Sequence, residues 1–219
     1  MLKISCLHTA QSNIAVFETA RRELKLDGVI LKHRVRADLL AEAASSGGAT
    51  DALLERVADE LRSVAAGADG VLLTCSTIAA AAPKAAETLD VPVFRIDEAL
   101  ADEATRGGGN VVVLCAAGTA IAPTRALFDS AAIAASAAVE VRLVPGAWEL
   151  FQAGREADYF AMIAEAADAA AGEGARVALA QASMAGAAPL ARVAPLTSPI
   201  AGLRAMVAAI DHRGALPAA

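Results

Sequence analysis

The chain predicts an α/β fold built from two pseudo-symmetric domains, each a parallel sheet with helices on both faces. Three observations carry that prediction. Apolar runs with strand character alternate with amphipathic, Ala-rich segments along the 219 residues, the pattern of βαβ units. Two stretches repeat each other at a constant offset: Gly70-Val-Leu-Leu-Thr-Cys75-Ser-Thr77-Ile-Ala-Ala-Ala-Ala-Pro83 and Arg176-Val-Ala-Leu-Ala-Gln181-Ala-Ser183-Met-Ala-Gly-Ala-Ala-Pro189. Finally, Arg106-Gly-Gly-Gly109 separates two rounds of the same alternation. The length suits two domains of about 100 residues each. Residues 1–100 with 200–219 are expected to form the first, carrying Cys75, and residues 101–199 the second, carrying Gln181 and Ser183.

Leu2 to Leu7 reads as strand one. Thr9 to Asn13 is a loop and helix cap before the amphipathic segment Ile14 to Leu24. Asp27-Gly28 turns the chain into a second strand, Val29 to His33. The basic cluster Lys32-His33-Arg34-Val35-Arg36 is expected to be a solvated loop after that strand. Residues 38–65 read as helical, broken by the Ser45-Ser-Gly-Gly48 turn. Val71 to Thr74 is apolar until its last residue, as a buried parallel strand would be. A helix over Ile78 to Leu89 and a short strand over Val91 to Ile96 complete this half.

In the second half, Val111 to Cys115 predicts a strand, and the loop 116–119 leads into a helix through Ala134. Val139 to Val144 is the next strand, ended by Pro145-Gly146. A long helix over Glu156 to Ala171 precedes the strand Val177 to Ala180 and the second repeated tip. Ser198-Pro199 interrupts the pattern before a final helix over Ala201 to Ile210, which is free to pack back on the first half.

Composition narrows the function. Hydrophobic residues make up 56% of the chain, but the excess is mostly alanine, which suits helix-on-sheet packing. No apolar run reaches the ~18 residues of a spanning helix, and the start moves directly into a strand, so a soluble, cytoplasmic protein with no membrane partner is expected. A net charge of −6 without a dense basic run argues against nucleic acid. Three scattered cysteines make no disulfide framework and no C-x-x-C pair, so no metal is indicated. Gly107 to Gly109 precedes its strand instead of following it, and the dinucleotide fingerprint fails on context.

The chemistry gathers at the strand tips, where ligands of open α/β sheets lie. Cys75-Ser76-Thr77 places a thiol between a buried strand and a helix start, beside backbone N–H groups that lower a thiol pKa. Position alone serves packing and chemistry equally well. Cys6 and Cys115 lie inside strands and read as packing. Thr9, Ser12, Thr77, Thr119 and Ser183 are each most simply helix caps. Together they would form a donor-rich cradle for a carboxylate and its enolate. His8, at the tip of strand one, can serve a structural hydrogen bond, donate to substrate or tune Cys75.

At these residues the chain resembles the aspartate/glutamate racemase family, which takes in hydantoin racemases, maleate isomerases and arylmalonate decarboxylases. Asp69-Gly-Val-Leu-Leu-Thr-Cys75-Ser76-Thr77 is similar to its first cysteine motif, and Leu179-Ala-Gln181-Ala-Ser183-Met184 to its second. The resemblance implies two Rossmann-like domains, an active site in the cleft between them, a homo-oligomer and no cofactor. Racemases of this type use two thiols on opposite faces of a carbon acid. Cys75 matches the first, but Gln181 replaces the second, and an amide has no usable proton-transfer pKa.

The function implied is a racemase-like isomerase of amino acid metabolism, acting at the α-carbon of a small carboxylate. Cys75 would be the single thiol acid/base, and Thr9, Ser12, Ser76, Thr77, Thr119, Gln181 and Ser183 would bind substrate. The alternatives are a one-thiol decarboxylase, a cis-trans isomerase of a dicarboxylate, a hydrolase or lyase with Cys75 as covalent nucleophile, and a non-catalytic carboxylate-binding protein.

Overall fold

The structure is a computed structural model that describes residues 1–214; residues 215–219, expected in the first domain, lie outside the described residues. The chain divides into two compact units, one of Met1–Ile96 with the segment from Pro199 onward, the other of Asp97–Ser198.

In the first unit β1 (Leu2–His8), β2 (Val29–Val35), β3 (Gly70–Leu73) and β4 (Val93–Arg95) form a fully parallel sheet in the order β2-β1-β3-β4. Helices α1 (Asn13–Glu23), α2 (Ala37–Ser45), α3 (Asp51–Val64) and α4 (Ala81–Ala86) make the connections. Every residue of β3 is buried, which explains its unbroken apolar run. Helix α3 turns Leu53, Val57, Ala58 and Leu61 inward at helical spacing, and its first turn is tied by Thr50, whose hydroxyl accepts from Leu53 N–H at 3.2 Å. Such a cap contributes about 1 kcal/mol. These residues pack with Leu7, Leu39, Leu73 and Ile78 in one core. Each large aliphatic side chain removed from water there contributes roughly 1.5–3 kcal/mol.

The second unit repeats the plan. Strands β5 (Gly109–Cys115), β6 (Ala137–Leu143), β7 (Arg176–Leu179) and β8 (Leu196–Thr197) run parallel in the order β6-β5-β7-β8. Around them lie α5 (Ile96–Thr105), α6 (Ile121–Ala135), α7 (Ala147–Gln152) and α8 (Glu156–Gly172). Tyr159, Ile163 and Ala167 of α8 pack on Val112, Leu114, Leu179 and Met184. The last helix, α9 (Ser198–Gly214), belongs to the first unit. It covers Gly70 so closely that a Cβ there would lie 2.4 Å from Met206 Sδ. No helix among the described residues is long and apolar enough to cross a membrane.

Several expected elements differ. The basic cluster is not a loop after the second strand: β2 continues to Val35 because β1 pairs with it as far as His8 opposite Val35. The helix expected over 78–89 is a 3-10 turn, Ser76–Ile78, followed by the six-residue α4, whose third residue is Pro83. Proline has no N–H to donate and suits only a first turn, so it marks where α4 begins. The second tip is a nine-residue 3-10 stretch, Ala182–Leu190. The strand expected over 91–96 shortens to Val93–Arg95, since Ile96 already opens α5. Ser198-Pro199 does not interrupt the chain but starts α9, proline being well placed near a helix start.

Candidate functional site

In both sheets the chain leaves the first strand to build one neighbour, then crosses to the other side to build the next. The switch point therefore lies between β1 and β3 in the first unit and between β5 and β7 in the second, where open parallel sheets bind ligands beyond their carboxyl ends. Cys75 follows β3 and Thr9 follows β1, so both stand at the first switch point. Gln181 follows β7 and Ala116 follows β5, at the second.

Cys75 has extended backbone (φ −121°, ψ 114°) and opens a 3-10 turn, and Gln181 does the same (φ −105°, ψ 139°). The two repeated segments thus share backbone shape at the positions where their side chains differ. Cys75 is half-buried and free of any disulfide. Burial pushes its thiol up; hydrogen bonds from the Thr9 hydroxyl, the Thr77 and Ile78 amides and the Thr77 hydroxyl oppose the rise without cancelling it. At neutral pH it is a thiol, held by donors that stabilise its anion when a proton leaves.

Gln181 uses its side chain differently. Its Oε1 accepts from Ala116 N–H at 2.6 Å and Ala117 N–H at 2.9 Å, and two backbone donors on one atom identify that end of the amide as the oxygen. The glutamine thereby spans the second switch point and ties the β7 tip to the β5 tip. Ser183 is buried, and its hydroxyl lies 3.0 Å from that of buried Tyr159. Gly186 is required next to it, since a Cβ there would meet the Phe160 ring at 2.4 Å.

Among the sequence-predicted residues, Thr9, Cys75 and Thr77 are brought together around the sulfur. Ser76 and Thr77 are buried in the same turn, and Thr119 is half-buried in the 3-10 turn Gly118–Ala120 of the second unit. Ser12 stands exposed at the N-cap of α1 but makes no side-chain cap hydrogen bond, because its helical backbone (φ −58°, ψ −26°) does not present the hydroxyl to the next amides. Its neighbour Asn13 is buried, with Oδ1 lacking a hydrogen-bond partner among the described residues.

His8 is fully buried, with Nδ1 2.8 Å from Thr74 Oγ1 and Nε2 2.8 Å from His33 Nδ1. Thr74 donates its hydroxyl proton to Leu7 O at 3.0 Å, so it accepts from His8 Nδ1–H, and His8 Nε2 then accepts from His33. Burial, with the charge of His33, lowers the His8 pKa to about 3. His33 Nε2 faces Glu18 Oε1 at 3.3 Å. Burial alone would raise the Glu18 carboxyl, but hydrogen bonds from Arg21 and His33 outweigh it and hold the group below the usual range. Sequence reading missed Tyr159, Thr74, Glu18 and Asn13. Asn13, next to Ser12, and Thr74, next to Cys75, carried a local signal; Glu18 and Tyr159 carried none.

Two four-stranded parallel units with the same strand order, each with a polar tip at its switch point, define a duplicated α/β protein. The chain belongs to the Asp/Glu/hydantoin racemase family, whose model matches residues 11–210. Comparison with curated proteins gives no significant match. Among solved structures the fold is similar to allantoin racemase from Pseudomonas fluorescens (17% identity, TM-score 0.69, covering 97% of this chain and 92% of that one). It is also similar to glutamate racemase from Thermus thermophilus (21%, 0.66, 99% and 84%) and to aspartate racemase from Picrophilus torridus (10%, 0.66, 96% and 95%).

Proposed function

We propose that the chain is a cofactor-independent isomerase of the racemase type, acting at the α-carbon of a small carboxylate with Cys75 as its thiol acid/base. The observation that carries this reading is the set of donors around the Cys75 sulfur: the Thr9 and Thr77 hydroxyls and the Thr77 and Ile78 amides. A sulfur so surrounded can give up its proton and take one from carbon. In that step the Cα–H bond breaks, S–H forms, and the electron pair passes into the carboxyl group as an enolate. Hydroxyls of Thr9, Ser12, Ser76, Thr77, Thr119 and Ser183 are proposed to hold the carboxylate and the enolate oxygen. The unpaired Asn13 Oδ1 suits a substrate N–H.

The state of Gln181 favours a second reading, in which one thiol does all the proton transfer. Its oxygen is engaged by two backbone amides, and its amide carries no transferable proton near neutral pH. Isomerisation or decarboxylation with return of the proton from Cys75 is compatible with that arrangement. Incubating candidate amino acids and related acids in D₂O separates the readings. Deuterium at the α-carbon with inversion supports racemisation, exchange with retention supports one-thiol chemistry, and CO₂ release supports decarboxylation. Cys75→Ala should abolish every one of these while leaving ligand binding; activity that survives the substitution refutes the assignment.

A further inference from the structure

We propose that Cys6, His8 and His33 form a binding site for one thiophilic divalent ion of the Zn²⁺ type, with Thr74 and Glu18 fixing the two imidazoles from behind. The sulfur of Cys6 and one nitrogen of each histidine all lie within 4.8 Å of one another. The sheet register creates the group. Cys6 and His8 alternate on β1 and share one face, and Cys6 stands directly opposite His33 on β2. None of this shows in the linear spacing, which is why the sequence indicates no metal.

The surroundings match what a metal ligand needs. A ligating histidine usually donates its other ring N–H to a carboxylate, hydroxyl or carbonyl, which sets the tautomer and aims the lone pair. His8 has Thr74 Oγ1 behind its Nδ1 at 2.8 Å, leaving Nε2 to point at His33. His33 has Glu18 Oε1 behind its Nε2, leaving Nδ1 to point back. The two rings stack with centroids 5.1 Å apart, and Phe17 walls the site at 5.3 Å from His8. Cys6 and His8 are fully buried, while the His33 side chain is 12% exposed and Glu18 32%, so an ion enters from their side.

In the metal-free protein a proton bridges His8 Nε2 and His33 Nδ1 across 2.8 Å. A tetrahedral ion with bonds of about 2.0–2.3 Å holds its ligand atoms roughly 3.3–3.7 Å apart, so this pair opens slightly while the sulfur closes in. Charge and protons balance. The ion displaces the Cys6 thiol proton to solvent and takes the place of the bridging proton at His33 Nδ1, with the His33 proton held on Nε2 toward Glu18; the two positive charges are met by the thiolate and the Glu18 carboxylate. Three protein ligands leave a fourth position for water. The site adjoins the thiol tip on two strands, since His8 precedes Thr9 and its partner Thr74 precedes Cys75.

The test is titration of the full chain with Co²⁺ alone, under a phosphine reductant, followed by displacement with Zn²⁺. The proposal expects one Co²⁺ per chain with a thiolate-to-cobalt charge-transfer band, tetrahedral ligand-field bands and release of the Cys6 thiol proton on binding. Cys6→Ser should abolish the charge-transfer band. Should that buried variant not fold, the half-buried His33→Gln carries the test and should lose tetrahedral binding. Glu18→Gln should weaken binding about 10- to 100-fold, and Cys75→Ala and Cys115→Ala should bind as the parent does. The proposal is overturned by an octahedral spectrum without charge transfer, by binding that survives His33→Gln, or by binding that disappears with Cys75→Ala.

Discussion

Gln181 places its side-chain oxygen 2.6 Å from the backbone N–H of Ala116, across the gap between two parallel strands. The same atom also takes the Ala117 N–H, so one side chain satisfies two donors that a truncated residue would strand. Gln181→Met should therefore destabilise the protein by about 1–3 kcal/mol, the cost of leaving buried donors unpaired. Gln181→Glu, which keeps an acceptor, should retain most of the stability. Urea denaturation of the two variants checks the ordering.

At the matching position of the first unit, Thr9 bonds the Cys75 sulfur. Burial holds this thiol above its ordinary value of 9.0, so its alkylation by iodoacetamide should be slow at pH 7 and rise through the alkaline range. Thr9→Val removes one donor to the thiolate and should move that profile further toward alkaline pH. A profile unchanged by the substitution would break the proposed link between the two residues.

Part of the alkaline stability follows from groups in the second unit, beside the buried Cys6 thiol of the first, which burial also pushes up. Burial pushes Cys115 up from 9.0 to about 12 and also raises Tyr159. Above the ordinary thiol range the unfolded chain releases protons that the folded chain keeps. The unfolded state then binds fewer protons than the native one, and stability must fall as pH rises, by up to ~1.4 kcal/mol per pH unit for each such group. Thermal melts should show declining Tm from about pH 9 upward, and Cys115→Ala should flatten part of the slope.

Close packing behind the second tip gives a separate expectation. A Cβ on Gly186 would lie 2.4 to 2.8 Å from three atoms of the Phe160 ring. Gly186→Ala should cost about 1–3 kcal/mol as an overpacked site. Phe160→Leu in the same chain should recover part of that loss, measurable as a double-mutant cycle.

Asn13 offers a contrast between stability and binding. Its buried Oδ1 has no partner among the described residues, so Asn13→Ala should leave folding stability nearly unchanged. If that oxygen meets a substrate N–H, the variant should raise KM for the carboxylate by about tenfold, equivalent to one hydrogen bond of ~1.4 kcal/mol. An unaltered KM would remove Asn13 from the proposed cradle.

The sequence by itself determined the alternation of strands and helices, the duplication and the thiol at a strand tip. Those features are written in local patterns: the unbroken run Val71-Leu-Leu73, the turn at Asp27-Gly28, and the paired segments 70–83 and 176–189. Short elements escaped, because α7 at six residues and β8 at two are too brief for periodicity to show, although Asp97 and Glu98 in the first turn of α5 were a usable helix-start signal. Tertiary structure alone decided the partners of polar side chains. Gln181 meets amides 65 and 64 residues away, and His33 meets His8 because two strands pair in one register. A hydrogen bond between side chains distant in the chain depends on strand order and register, and neither leaves a trace in local composition.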